Sequence, residues 1–258
     1  MGITVVDFVR FSLAFVRLAT FFAVVPLLNM RNIPILIKLG LGALCSLAIM
    51  PPLDPRWNIE SLGVIALLAL QEVALGFLLA FLVILVFGIV TFAGHFIDTP
   101  LGFGMASVFD PALGGQVPVF SQFYHVLAAL LFFGLDAHLW LIQAMQHSFQ
   151  VIPFGGILHF EPTFRLVMDL VQQMFIIGIQ IALPVVATIL LTDIGLGIII
   201  RAVPQINVFV LGFPVKIAVG LVVVVFALPA YVYITGQLFA VDGLLFRYFQ
   251  NLLALGGS

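Results

Sequence analysis

The stretch of sequence that decides the fold is a long run without a charged side chain. Residues 73–94 read VALGFLLAFLVILVFGIVTFAG. A helix over this run would be about 33 Å long at about 1.5 Å per residue, and the hydrocarbon layer of a bilayer is about 30 Å thick. The run therefore predicts a helix that crosses a membrane.

The whole chain has the composition of a membrane protein. Of its 258 residues 64% are apolar and 8% are charged, and the mean hydropathy is +1.31. An ordinary soluble domain is roughly 45–50% apolar and about 25% charged. The net charge of −2 gives no basic face for nucleic acid, and Cys45 is the only cysteine, which excludes an intrachain disulfide. No polar linker divides the chain, so residues 1–258 are interpreted as a single membrane domain.

Six long apolar segments account for most of the chain, and each is predicted to be helical. Segment 61–98 has no proline and would be roughly 57 Å long as one straight helix, so it must tilt, bend or leave the bilayer. Proline removes a backbone hydrogen bond, which predicts kinks or breaks at Pro184, Pro214 and Pro229. Broken backbone is expected to be buried in protein or to face a water-filled path. The segments are 8–28, 33–50, 61–98, 119–149, 164–200 and 208–250.

The N-terminal apolar run is predicted to be a retained helix. Residues 11–28 contain Arg17, and no small-residue cleavage site precedes a polar region. This pattern does not resemble a cleaved signal peptide.

The connection between the third and fourth segments, residues 99–118, combines flexibility with apolar side chains. It holds four glycines and three prolines, and Asp110 is its only charged residue. A loop with this many apolar side chains would not be left in water, so it is predicted to be tucked into an assembly. Its large apolar residues are Leu101, Phe103, Met105, Val108 and Phe109.

Several charged side chains lie inside or at the edges of the apolar segments. A charge at the centre of a bilayer costs at least ~2.5 kcal/mol, so each should meet a partner or water. One hypothesis is a proton relay or an ion site, and the other is structural pairing between helices or subunits. Structural pairing is favoured because no segment carries the multiple carboxylates or histidines that relays use. These residues are Glu72, Asp98, Asp136, Asp193, Arg201 and Lys216.

A polar island, RAVPQIN at 201–207, separates the last two segments. Pro204 forbids a continuous helix, and Gln205 and Asn207 can satisfy the freed backbone groups. The favoured interpretation is a hairpin turn, and the alternative is a subunit contact or a channel constriction.

The sequence shows no motif for catalysis, metal binding or cofactor binding. The five histidines are scattered, no His-Glu-x-x-His is present, and phosphate-binding, dinucleotide-binding and nucleophile-elbow motifs are absent. Asp136 and His138 are interpreted as a local hydrogen-bonding pair near a helix turn. We therefore predict no enzyme activity, no catalytic residue, no metal site and no cofactor.

Four stretches, in order along nearly the whole chain, resemble the FliR family of export proteins and its injectisome relatives. The most specific is RAVPQINVFVLGFPVK at 201–216. The chain departs from the family pattern at Pro100, where glutamine is common, and at Ala137, where glycine is common. The other stretches are GHFID at 94–98 with Gly102, Phe103, Asp110 and Pro111; Asp136 to His138 with Ser148, Phe149 and PFGG at 153–156; and Ala182 to Pro184 with Asp193, Gly195 and Gly197. Glu72 with Gly76 also resembles the family's glutamate-containing helix start.

This resemblance implies a non-enzymatic channel subunit of the flagellar type III protein export gate, in the bacterial inner membrane at the flagellar basal body. It implies an all-α membrane protein with about six long, kinked helices in bent hairpins. The implied partners are FliP-like and FliQ-like gate subunits, FlhB-like and FlhA-like export proteins, membrane lipid and unfolded export substrates, with no nucleic acid.

The resemblance also assigns roles to residues. The connection 99–118 resembles a plug that helps to close the export pore. The implied plug residues are Gly102, Phe103, Gly104, Met105, Phe109, Asp110 and Pro111. The implied interface or structural polar residues are Glu72, Asp98, Asp193, Arg201, Pro204, Gln205, Asn207 and Lys216.

Besides an injectisome subunit of the same family, a secondary transporter and an intramembrane enzyme are the alternative functions. A secondary transporter would show an internal repeat and a midplane site between broken helices. No repeat is evident. An intramembrane enzyme would need a convergent nucleophile or metal cluster, and the sequence shows none.

Overall fold

A computed structural model of the chain describes residues 4–28, 33–49, 51, 61–103, 118–156, 159–204 and 208–256, with backbone alone for 208–211. Within these ranges every regular element is an α-helix, and no strand is present. The predicted all-α class is therefore confirmed. The helices are α1 (Val5–Val24), α2 (Ile35–Ile49), α3 (Leu62–Leu101), α4 (Val119–Gly134), α5 (Ala137–Val151), α6 (Phe160–Ala202), α7 (Val208–Phe239) and α8 (Leu244–Gly256).

Three helical stretches in the described part of the chain are long and apolar enough to cross a membrane. They are Leu62–Leu101, Phe160–Ala202 and Gly212–Gly256. A fourth is added if α4 and α5 together count as one span. The membrane character predicted from composition thus agrees with the lengths of the helices.

The described residues fall into two compact units. The first unit comprises Met1–Val86, Asp136–Val171 and Ala240–Ser258, and the second comprises Phe87–Leu135 and Gln172–Phe239. The interpretation of residues 1–258 as a single domain stays a prediction.

The helix breaks do not fall where the sequence predicted them. Pro184 lies inside α6, and Pro214 and Pro229 lie inside α7, so of the predicted kinks or breaks at these prolines the breaks are wrong and the kinks stay a prediction. A proline removes one helical hydrogen bond, whereas a full break in an apolar medium would leave several backbone groups unpaired. Segment 119–149 is instead divided at Asp136, whose φ of 55° lies in the left-handed region. Segment 208–250 is divided by a turn in which the Gly243 N–H donates to the Ala240 carbonyl.

The first helix begins with a capping box outside the candidate membrane spans. The Asp7 N–H donates to the Thr4 hydroxyl, and the Thr4 N–H and hydroxyl donate to the Asp7 carboxylate. These hydrogen bonds stabilise the ionised carboxylate, so the pKa of Asp7 lies below its usual range. The sequence therefore fixes the start of α1 by local chemistry.

The first unit packs its helices closely through small residues and aromatic contacts. A side chain on Gly76 of α3 would overlap the backbone carbonyl of Arg17 in α1, so only glycine permits this approach. The amphipathic helix α8 buries Leu245 and Leu252, and its Phe249 ring meets Phe21 of α1 edge to face at 6.5 Å. The last helix thus completes the core around the first.

The second unit is built around aromatic side chains between α3, α4 and α7. Phe87, Phe132 and Phe239, one from each helix, have ring centroids 4.9–5.7 Å apart. Tyr124 and Tyr231 stack at 4.2 Å, and the Tyr231 hydroxyl donates to the Tyr124 backbone carbonyl at 2.5 Å. This core fixes α4 against α7.

The close approach at Gly76 makes a testable prediction. Gly76→Ala should lower the free energy of unfolding by about 1–3 kcal/mol, because α1 and α3 must separate to admit the methyl group. Gly236→Ala is the matched control, since its added carbon meets nothing within 4 Å and alanine favours the helix by about 0.5–1 kcal/mol. Denaturant titration in detergent measures both, and equal stability of the two variants would contradict the packing argument.

Candidate functional site

Arg17 and Glu72 form an ion pair whose side chains have no exposed surface. Arg17 Nε donates to Glu72 Oε2 at 2.5 Å, and Nη2 donates to Oε1 at 3.1 Å. Nη1 donates to the Ser148 hydroxyl at 3.2 Å, and Nη2 also donates to the Ile152 carbonyl at 3.0 Å. The guanidinium carbon lies 4.1 Å from the centroid of the Phe149 ring. One side chain of α1 therefore joins α3 to the C-terminal end of α5.

The surroundings of this pair favour a structural role. Ser148 donates its hydroxyl proton to the Met145 carbonyl at 2.7 Å, which leaves its oxygen free to accept from Arg17. A forked guanidinium–carboxylate pair with two further hydrogen bonds from the guanidinium avoids the large cost of an unpaired buried charge. Glu72, predicted to be a structural or interface residue, thus has its partner within the first unit.

Asp98 lies near the end of α3 and is 3% exposed. Its Oδ1 accepts the N–H of Phe120 at 2.9 Å, and its Oδ2 accepts the N–H of Ser121 at 3.2 Å. These are the second and third residues of α4, the positions whose N–H groups a helix N-cap normally satisfies. Asp98, predicted to be a structural or interface residue, thus has its hydrogen-bond partners inside the second unit.

The start of the connecting loop 99–118 is packed against α4 and α7. Leu101 is 1% exposed and lies against the backbone of Gly220. Gly102 has a φ of 86°, and the Phe213 ring fills the space where a side chain would be. The Phe103 ring meets Phe120 edge to face at 5.9 Å. The first two predicted plug residues are therefore held by packing.

Other predicted residues lie outside the described part of the chain. The structure gives no placement for the remaining predicted plug residues or for two residues of the polar island. These are Gly104, Met105, Phe109, Asp110, Pro111, Gln205 and Asn207.

A second ion pair joins the last two long helices. Lys216 Nζ of α7 lies 2.5 Å from Asp193 Oδ1 of α6, and the side chains are 24% and 37% exposed. Both line a cavity of about 240 Å³ together with Gly197, Gly212 and other residues of α6 and α7. Unlike the Arg17 pair, these charges keep open space beside them.

The polar island marks the end of one helix and the start of the next. Arg201 is exposed in the last turn of α6, and Pro204 is an exposed turn residue before α7 begins at Val208. Asp136 and His138, predicted to form a local pair, lie at the start of α5, where Asp136 makes no side-chain capping bond.

Sequence reasoning missed three residues that organise these sites. Arg17 was visible as a charge in an apolar run, and its cost in lipid was the signal that it needed partners. Gly94 of α3 lies against the backbone of Ser121, and Phe213 fills the space at Gly102. No local pattern predicts these last two contacts, because they depend on the packing of distant helices.

The helices and paired charges define the class as an all-α membrane protein with structural ion pairs. Among the residues that the structure describes, no group of three or more His, Cys, Asp or Glu side chains could hold a metal ion.

Comparison with known proteins gives the family. Residues 8–241 match the family described as bacterial export proteins, family 1. The chain is 34% identical over 257 residues to the flagellar biosynthetic protein FliR of Bacillus subtilis, which covers 97% of this chain and 96% of that protein. It is 32% identical to FliR of Escherichia coli, covering 83% of this chain and 82% of that protein, and 28% identical to FliR of Aquifex aeolicus, covering 84% of each. The chain belongs to the bacterial export proteins, family 1, the FliR family.

The Arg17 pair makes a prediction about stability. Arg17→Met leaves the Glu72 carboxylate buried without its partner, so unfolding should become easier by about 3–5 kcal/mol. Replacing both residues, Arg17→Met with Glu72→Leu, should restore part of that loss because no unpaired charge remains. Chemical denaturation in detergent, read by circular dichroism, measures each variant.

The matched control is Arg165→Met. Arg165 pairs with Glu161 on the surface, where the side chains are 77% and 73% exposed. Such a pair contributes about 0–1 kcal/mol. If Arg17→Met cost no more than this control, the buried pair would not hold the first unit together.

Proposed function

We propose that the chain is a non-enzymatic subunit of the flagellar protein export gate, placed in the bacterial inner membrane at the basal body. The observation that carries this proposal is the family match, which extends over residues 8–241 and continues through 97% of the chain in the relative from Bacillus subtilis. The relatives described above carry flagellar names, which favours a flagellar over an injectisome role.

The apolar surface of the chain supports a role within an assembly. The most apolar part of α3 is 61% buried, but the corresponding part of α6 is only 28% buried. Large apolar side chains on α6 and α7 are exposed, among them Leu191, Ile198 and Phe226. Surfaces of this kind need lipid or other apolar helices. We propose that FliP-like and FliQ-like subunits cover part of this surface, and that FlhB-like and FlhA-like proteins associate with the gate.

The ion pair between α6 and α7 is the proposed interface site. Asp193 and Lys216 remain partly exposed beside a cavity, Arg201 is exposed in the last turn of α6, and Pro204 is exposed in the turn that follows. A partly exposed charge pair in an apolar surface offers hydrogen-bonding groups to a neighbouring polar side chain. We propose that these residues, with Gln205 and Asn207, contact other gate subunits.

Closure of the pore is the proposed role of the connecting loop 99–118. The family resemblance makes it a plug for the path of unfolded export substrates, and its apolar side chains suit a constriction that stops ions by excluding water. Phe103, Met105 and Phe109 are the proposed sealing side chains. The packing of Leu101 and Gly102 supports a loop with a fixed origin.

Assembly tests the interface proposal. Co-expression with FliP-like and FliQ-like subunits should yield a complex that this chain does not form alone. Asp193→Asn should reduce the yield of that complex because it removes the charge that holds Lys216. Glu161→Gln is the control, since Glu161 lies on the same helix and its ion pair is with the exposed Arg165. Equal yields of the two complexes, measured by affinity purification and gel filtration, would count against the interface.

Ion leak tests the plug proposal. Deleting residues 104–115 should raise the passage of small ions through membranes that contain the assembled gate, because the constriction is lost. The residues that flank the deletion lie near each other, since the Phe103 and Phe120 ring centroids are 5.9 Å apart. Leak at the wild-type rate from a complex purified in normal yield would show that this segment does not close the pore.

A further inference from the structure

We propose that Asp98 is a positioning residue that clasps the two ends of the connecting loop by capping α4 from α3. The proposal assigns to one carboxylate the task of fixing where the loop leaves one helix and enters the next. Its effect on pore closure rests on the plug role proposed above, whereas the clasp itself rests on described residues alone.

Helix α4 receives no side-chain cap from its own N-cap residue. The residue at its N-cap position is Pro118, which makes no side-chain capping hydrogen bond. The N–H groups of Phe120 and Ser121 bond instead to the two oxygens of Asp98, which lies 22 and 23 residues earlier in the chain. A local cap would stabilise α4 alone, but this cap also ties α4 to α3.

Gly94 and Asp98 on α3 are spaced to meet the start of α4. Gly94 precedes Asp98 by one helical turn, so the two residues share one face of the helix. A side chain at Gly94 would overlap the backbone at Phe120 and Ser121. The glycine therefore admits the first turn of α4, and the aspartate one turn later receives its N–H groups. The glycine and the aspartate on this face of α3 thus allow the start of α4 to approach closely and to form hydrogen bonds there.

The first residues of the loop are packed against α7 and α4. Leu101 lies against Gly220 and Gly102 against Phe213, both on α7, while Phe103 contacts Phe120 on α4. Asp98 joins the helix that carries Leu101 to the helix that carries Phe120. The start and the end of the loop are thereby held beside each other through a buried pair of charge-assisted hydrogen bonds.

The test separates a clasp from a simple helix cap. Asp98→Ala removes both functions, and Asp98→Ala with Pro118→Asp restores a local cap while leaving the link to α3 absent. Asp98→Asn keeps the shape but replaces one acceptor with a donor that faces an N–H. Each variant is assembled with its gate partners, and ion leak is measured at matched complex yield beside the deletion of residues 104–115.

The clasp predicts leak several-fold above wild type for Asp98→Asn and for the double variant, even though α4 is capped again in the latter. Wild-type leak from the double variant would show that Asp98 acts only as a cap and would overturn the proposal. If the deletion raises ion leak but both of these variants leak at the wild-type rate, the plug role is supported and the proposed role of Asp98 is contradicted. If the deletion does not leak, the plug role and the effect of Asp98 on closure fall together.

A distance measurement decides the clasp without reference to leak. Spin labels at the exposed positions Thr99 and Val119, in a background with Cys45→Ser, report the separation of the loop's ends. The distance distribution of the double variant should be broader, and its distances longer, than in the labelled protein that retains Asp98 and Pro118. An unchanged distribution would contradict the clasp even if the leak increased.

Discussion

A guanidinium buried in an apolar medium must find a partner for nearly every donor, and this requirement at Arg17 organises the first unit. Its donors reach Glu72 of α3, Ser148 of α5 and the carbonyl of Ile152, and its flat face lies on Phe149. Moving any of these elements would leave a charge or a polar group without compensation. The positions of α1, α3 and the end of α5 are thus linked through one side chain.

Helix α3 carries a glycine and a carboxylate one helical turn apart at two places, once in each unit. Glu72 and Gly76 are one turn apart in the first unit, and Gly94 and Asp98 are one turn apart in the second. In both pairs the glycine lets another backbone come close, and the carboxylate receives hydrogen bonds from the element that approaches. Small residues that allow close packing and polar groups that hydrogen-bond across helices are the two recurrent means of joining helices in lipid. Here they occur on the same helical faces, so the approach and the attachment reinforce each other.

The sequence was sufficient for the class of fold because composition and the length of apolar runs respond directly to the bilayer. Residues 73–94 predicted α3, and the need of buried charges for partners was visible at Glu72 and Asp98. The identity of those partners was not visible in the sequence, because Arg17 and the N–H groups of α4 approach these carboxylates only after distant helices pack. The expected break at Pro184 is absent because the neighbouring hydrogen bonds keep α6 continuous. The division at Asp136 depends on a left-handed backbone conformation that no simple sequence pattern predicts.

The separation of Arg17 from its partners along the chain has a consequence for biogenesis. Glu72, Ser148 and Ile152 follow it by 55, 131 and 135 residues. At about 5–20 residues per second on the ribosome, the last of them emerges roughly 7–27 s after the arginine. During that interval an arginine in the middle of an apolar helix lacks its partners, and burial of α1 in an apolar environment would carry the cost of an unpaired charge. The first helix is therefore expected to wait at the membrane surface or beside the insertion machinery, and to take its place only when α5 arrives.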